Sequence, residues 1–246
     1  MVAKTSLTLL HVSSGEELHW TDFPGVRQTL ERWGLLPQNS PKSAVPKLGI
    51  EVQKVVTRDK DPVRSVLAFL EQHPTDLIVL AMHQDKGRGL WQEKSIALPL
   101  ARKSHEMTLF IPAGIKGFVS FQDGTVSLKN IVIPVAAVPN AQPAIQAAVR
   151  IVRQLNCPSG RFTILHVGDG TPMPEVDCPE LPGWEWNKLS QQGDVSKVIL
   201  QTARATGADL ITMSTEGHHG FLDALRGSHS EQVLRQCVCP LLTIPT

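Results

Sequence analysis

The sequence predicts an α/β protein made of two tandem doubly wound parallel-sheet domains, the first of which lacks its opening strand and helix. Three observations predict it. Short β-branched runs alternate with helical patterns, which argues for parallel strands joined by right-handed helical crossovers. Residues 76–112, DLIVLAMHQDKGRGLWQEKSIALPLARKSHEMTLFIP, align without a gap to residues 209–245, DLITMSTEGHHGFLDALRGSHSEQVLRQCVCPLLTIP, at an offset of 133 with nine identities. The first copy is also short: LTLLHVSSG at Leu7 matches FTILHVGDG at Phe162 with an offset of 155, so an equivalent of residues 129–155 is absent.

The first domain is expected over residues 1–114, with a strand at LTLLHV, a helix opening at Asp61, and strands at DLIVLA and TLFIP. Residues 115–128 form a link, read as a β-hairpin because apolar residues alternate around Asp123-Gly124. Residues 129–246 form the complete domain. Its strands are KNIVIPVA, RFTILHV, an edge strand near WEWNKL, DLITMS and PLLTIP, which make a five-stranded sheet. Its helices are residues 141–155, a helix opening at Asp194, and one opening at Ser230.

A strand absent from within a sheet leaves its neighbours with unpaired backbone groups, each costing about 1 to 3 kcal/mol if buried. The link, a second chain, or sequence upstream of residue 1 would fill the gap. TLFIP and PLLTIP are the matching closing strands of the two copies, available for pairing with each other.

Composition narrows the function classes. The chain has 246 residues, is 41% apolar and carries a formal net charge of +1, so no broad attraction to nucleic acid or to an anionic membrane is expected. No apolar run approaches the ~20 residues of a membrane span, and the start is too weakly apolar for a secretion signal. Four cysteines in a chain of this length make no disulfide framework, which fits a reducing compartment. A cytoplasmic location is expected.

The segment MSTEGHHGFLDALRGSHSEQVLR, residues 213–235, concentrates glycines, hydroxyls and histidines between a strand and a helix. It lies where open α/β sheets bind ligands, beyond the carboxyl ends of the strands. Ser228 and Glu231 form a capping box. Gly217 and Gly227 allow close backbone approach, and exposed amides at a helix start attract phosphate. The same glycines equally suit plain turns.

Taken together, the LHV that ends the second strand, the DLI run, and Ser214-x-x-Gly217, nine residues, then Gly227-Ser228 resemble the universal stress protein family, as a tandem-domain member. The resemblance implies Rossmann-like domains of the adenine-nucleotide α-hydrolase type. It implies that Ser214, Gly217, Gly227, Ser228 and Ser230 hold the phosphates of ATP or AMP, and that Val167 and Met213 border adenine and ribose. Two positions depart from the pattern. Ser214 replaces the first glycine of the loop, and Ala136 stands where family members place an acid after the first strand, a loss worth about 1.5 to 3 kcal/mol of binding. In the first half, Gln84 and Lys94 replace Gly217 and Gly227, so that half is expected to bind no nucleotide. The basic loop of Lys86, Arg88 and Lys94 could draw an anion or be a solvated surface.

Other chemistry is sparse. His218, His219 and His229 flank the loop and could bind a metal, a phosphate or nothing. Cys237-Val-Cys239 precedes a strand expected to bury it, so no metal site is assigned. Asp169 and Asp223 could assist Mg2+ at a nucleotide. No catalytic group is identifiable. The favoured function is a stress-response regulator that binds ATP or AMP in its C-terminal domain, with a protein partner and an intrachain pseudo-dimer, and a homodimer beyond it. A ligand-free dimerisation module is the alternative, and a slow ATP-hydrolysing enzyme is the third.

Overall fold

The computed structural model describes residues 4–13, 23–82, 96–215, 233–234 and 236–246, and all that follows concerns these. They separate into two compact units, Met1–Pro74 with Ser120–Thr125, and Thr75–Val119 with Val126–Thr246.

The first unit holds a two-stranded parallel sheet of β1 (Thr5–Ser13) and β2 (Ile50–Arg58), in register from Thr5↔Ile50 to Ser13↔Arg58. Between them lie α1 (Val26–Arg32) and two short 3-10 turns. A small apolar cluster of Leu30, Leu36 and Val45 is its core. Helix α2 (Pro62–Gln72) starts at Asp61, whose Oδ1 accepts from the amides of Val63 and Arg64 at 3.0 and 3.1 Å. The turn 120–125 closes with Gly124 at φ +74°, where an added Cβ would lie 2.8 Å from the Trp33 ring. Glycine is required there for both reasons. Arg32 Nε and Trp33 Nε1 both donate to the Phe121 carbonyl, and the Arg32 guanidinium stacks 3.8 Å from the Phe121 ring centre.

The second unit is built on a seven-stranded sheet, in the order β3-β4-β9-β8-β5-β6-β7. Five of its strands are β5 (Asn130–Val135), β6 (Gly160–Val167), β7 (Trp184–Gln191), β8 (Leu210–Thr215) and β9 (Leu241–Pro245), all mutually parallel. The runs expected for the complete domain are therefore its strands. Helix α4 (Gln142–Gln154) buries Ala144, Ile145, Ala148, Val149 and Val152, the spacing of one helical face, against one side of the sheet. Helix α5 (Val195–Ala205) buries Val198, Ile199 and Ala203 against the other side. Its cap is Asp194, which accepts from the Lys197 amide at 2.9 Å, so the two aspartates matched by the offset cap matching helices.

The remaining strands are β3 (Ile78–Met82) and β4 (Thr108–Pro112), joined through α3 (Ala97–Ser104). β4 pairs antiparallel with β9 in the register Thr108↔Thr243, Leu109↔Leu242, Phe110↔Leu241. Leu109 and Leu242 are duplicates of each other under the offset of 133, so the two copies of the closing strand meet about a local pseudo-two-fold axis. This is the pairing expected of TLFIP and PLLTIP. Phe110 is fully buried in the shared core beside Leu241.

In the second copy β5 lies between β6 and β8 and holds them in one sheet. The described strands of the first copy fall into two pairs, β1-β2 and β3-β4, in different sheets. The linking hairpin does not join either pair. It forms a single bridge, Val119↔Val126, with Ser127 N–H donating to the Phe118 carbonyl at 2.8 Å.

Candidate functional site

The chain runs from β5 outward through β6 to β7, then returns to the other side of β5 for β8 and β9. The order reverses between β5 and β8. The carboxyl ends of the two strands at such a reversal are the usual ligand position in an open α/β sheet. Ala136 follows β5, Val167 ends β6, and Met213 and Ser214 lie in the last turn of β8. The parallel register places all four at one edge.

Their exposures differ. Ala136 is exposed and bridges to Asn140, so the position where an acid would contact a base presents only a methyl group. Val167 is half-buried against the α5 side of the core. Met213 is buried in that same core, so its side chain packs under the sheet edge. Ser214, the next residue, turns to the opposite face, as alternation along a strand requires. It is 7% exposed, and its Oγ has no hydrogen-bond partner among the described residues. A buried hydroxyl without a partner costs about 1 to 3 kcal/mol, so it suits a ligand able to accept or donate. Gly217, Gly227, Ser228, Ser230, His218, His219, His229 and Asp223 lie outside the described residues, as do Gln84, Lys86, Arg88 and Lys94.

Sequence reasoning used the histidine of LHV only as part of a pattern, and the structure gives it a role. His166 is buried at the end of β6, with Nδ1 3.2 Å from the Val135 carbonyl and Nε2 3.1 Å from Thr171 Oγ1. Nε2 also lies 3.2 Å from the Thr171 carbonyl, and which ring nitrogen donates depends on the tautomer. The ring ties the end of β5 to the loop that follows β6, two of the elements at that edge. Gly168 fits beneath this contact, since a Cβ there would collide with Thr171 Oγ1 and lie 2.8 Å from His166 Nε2.

Among the described residues no group of three or more His, Cys, Asp or Glu side chains is arranged to hold a metal ion. Cys237 and Cys239 are both buried in the core. Burial raises both thiols, Cys239 to about 12, so they stay protonated and poor ligands at neutral pH. Asp169 is exposed in the loop after β6. No helix among the described residues is long and apolar enough to cross a membrane.

Residues 187–245, which run from β7 to β9, match the universal stress protein family. No curated protein matches the chain. Among solved structures, a universal stress protein from Archaeoglobus fulgidus DSM 4304 superposes with a TM-score of 0.60 at 18% identity, covering 82% of this chain and 73% of its own. A functionally unknown protein from Pseudomonas aeruginosa PAO1 superposes with a TM-score of 0.56 at 13% identity over 97% of this chain and 92% of its own. At these identities the likeness is one of fold.

Proposed function

We propose, for a chain whose residues 187–245 match the universal stress protein family, that its C-terminal domain is a regulatory module binding ATP or AMP at the switch point between β5 and β8. The observation that carries the reading is the hydroxyl of Ser214 at that edge, buried and unpartnered among the described residues. It begins the sequence segment whose glycine spacing, through Gly217 to Gly227-Ser228, suits phosphate.

The described residues fit a nucleotide better at its phosphates than at its base. Ser214 supplies a hydroxyl that a phosphate oxygen would satisfy, and Gly217, Gly227, Ser228 and Ser230 would add amides and hydroxyls. Val167 and the backbone of Met213 would border the sugar and base. His166 would keep the β5 end and the β6 loop in place around them. At Ala136 there is no charged acceptor for the base, so discrimination between adenine and guanine would be poor. Mg2+, with Asp169 or Asp223 near it, would only neutralise phosphate charge. Binding would alter the loops bordering the switch point, and a protein partner would read that surface.

The test begins with mass spectrometry of small molecules released from freshly purified protein. ATP or AMP is expected in the eluate. Ser214→Ala should weaken ATP binding about tenfold while leaving the unliganded protein as stable or slightly more so, because it deletes an unsatisfied buried hydroxyl. Equal affinity in both proteins would remove Ser214 from the site.

A further inference from the structure

The turn between β5 and α4 carries a hydrogen-bond donor beside the position at which Ala136 offers a base no acceptor. Ala136 bridges to Asn140, so the two stand side by side at the end of β5. Asn140 heads α4, and its Oδ1 accepts from the Gln142 amide at 3.0 Å. A main-chain amide can only donate, which fixes the oxygen of this carboxamide on the helix side. Nδ2 is then the outward group, with no partner among the described residues. Asn140 is exposed, and Ala136 beside it adds only a methyl group.

The turn is held on both flanks. Gln142 donates through Nε2 to the Asp177 carbonyl at 3.0 Å and accepts through Oε1 from the Asp177 amide at 2.9 Å. On the β5 side His166 Nδ1 lies 3.2 Å from the Val135 carbonyl. A donor on a turn fixed in this way loses little freedom when it binds. Across the switch point is the hydroxyl of Ser214, buried and unpartnered among the described residues. The register Ile131↔Leu210, Val132↔Ile211, carried forward, sets Ser214 level with Val135. Ser214 shares a strand face with Leu210, which packs in the core that α4 covers, so Ser214 and Asn140 lie toward the same end of α4.

Given a nucleotide at this edge, on which the assignment rests, we infer that Asn140 is the base-reading residue of the site and donates through Nδ2 to N7 of a purine. With phosphate at Ser214 the base would extend over the end of β5, where Nδ2 is the free donor. Adenine and guanine both carry an acceptor at N7, so a donor alone takes the two alike. They differ beside it, adenine with the N6 amine, a donor, and guanine with O6, an acceptor. An acceptor in place of Nδ2 would therefore separate them, accepting from N6 and repelling O6.

Asn140→Asp makes that one exchange. It keeps an oxygen for the Gln142 amide and remains a good helix cap, so without ligand it should unfold no more easily than wild type. Calorimetric titration of ATP, GTP and 7-deaza-ATP into both proteins reads the result as ratios, in which repulsion between the new charge and the phosphates cancels. Wild type should bind ATP and GTP within about threefold of each other and 7-deaza-ATP about tenfold more weakly, the loss of one hydrogen bond. Asn140→Asp should favour ATP over GTP by about tenfold or more and bind 7-deaza-ATP as it binds ATP. Asn140→Ser, which caps the helix without charge or reach, should also bind ATP and 7-deaza-ATP alike. An unmoved ATP-to-GTP ratio in Asn140→Asp, or 7-deaza-ATP binding wild type as tightly as ATP, would overturn the role of Asn140 and leave the nucleotide reading in place. Failure of wild type to bind any of the three would overturn both.

Discussion

Asp209 and Asp76 are the same residue in the two copies and do different work. Asp209 terminates a strand entry by accepting two main-chain amides at 2.8 Å. Its replacement leaves those amides without acceptors, so Asp209→Ala should lower stability by about 2 kcal/mol. Asp76→Ala removes an exposed carboxylate with no partner among the described residues and should change stability by less than about 0.5 kcal/mol. Urea titration of the two variants checks the contrast, and equal losses would show that Asp76 is already engaged. The same pair shows how far single residues could be read. The identity of Asp76 and Asp209 was visible in the alignment, but an aspartate before a strand could as well have been a helix-stop or a solvated turn. Its clamp on β5 depends on an element some 80 positions earlier in the chain. The packing of Met213 beneath the sheet edge was likewise hidden, because alternation gives the two faces of β8 without saying which helix lies on which.

At the scale of elements, the strands and caps of the second copy were legible because local and global signals agree there. Asp194 precedes an amphipathic run, and it caps α5. Asp194→Ala should therefore cost about 1 kcal/mol, measured by thermal or urea unfolding, and Asp194→Asn should restore most of it. A loss below a few tenths for the alanine variant would mean that packing of Val198 and Ile199 fixes the helix unaided. The β4–β9 pairing was legible for a different reason: both strands close a copy, and their apolar runs match. Its register, centred on Leu109↔Leu242, had to come from three dimensions. The tie of His166 to Val135 and Thr171 had no sequence signal beyond the histidine itself, since neither carbonyl acceptors nor loop conformation can be read from residue types.

At the scale of the molecule, the described strands of the first copy lie in two different sheets. The first unit is left with a two-stranded sheet and a core cluster of three buried residues. Small units of this kind are marginal alone. Its amides in β1 and β2 should exchange faster with solvent than those of β5, β6 and β8, by a factor of at least about 100, the expected signature of sub-global opening. Uniform protection across all five strands would instead mean one cooperative unit.

The central claim is that the switch point between β5 and β8, with the glycine-spaced segment that follows β8, holds a nucleotide. Calorimetric titration of ATP, AMP and GTP into wild type, Gly227→Asp and Gln84→Ala tests it most directly, paired with thermal unfolding. Wild type and Gln84→Ala should bind ATP alike and gain about 2.7 kcal/mol of stability at 100 times the dissociation constant. GTP should bind nearly as well, because Ala136 offers no acid to choose between bases. Gly227→Asp, which adds a side chain and a like charge, should stay folded and gain almost nothing. Absence of heat and of any thermal shift in wild type at millimolar nucleotide would contradict the account and leave the protein as an interaction module without a nucleotide.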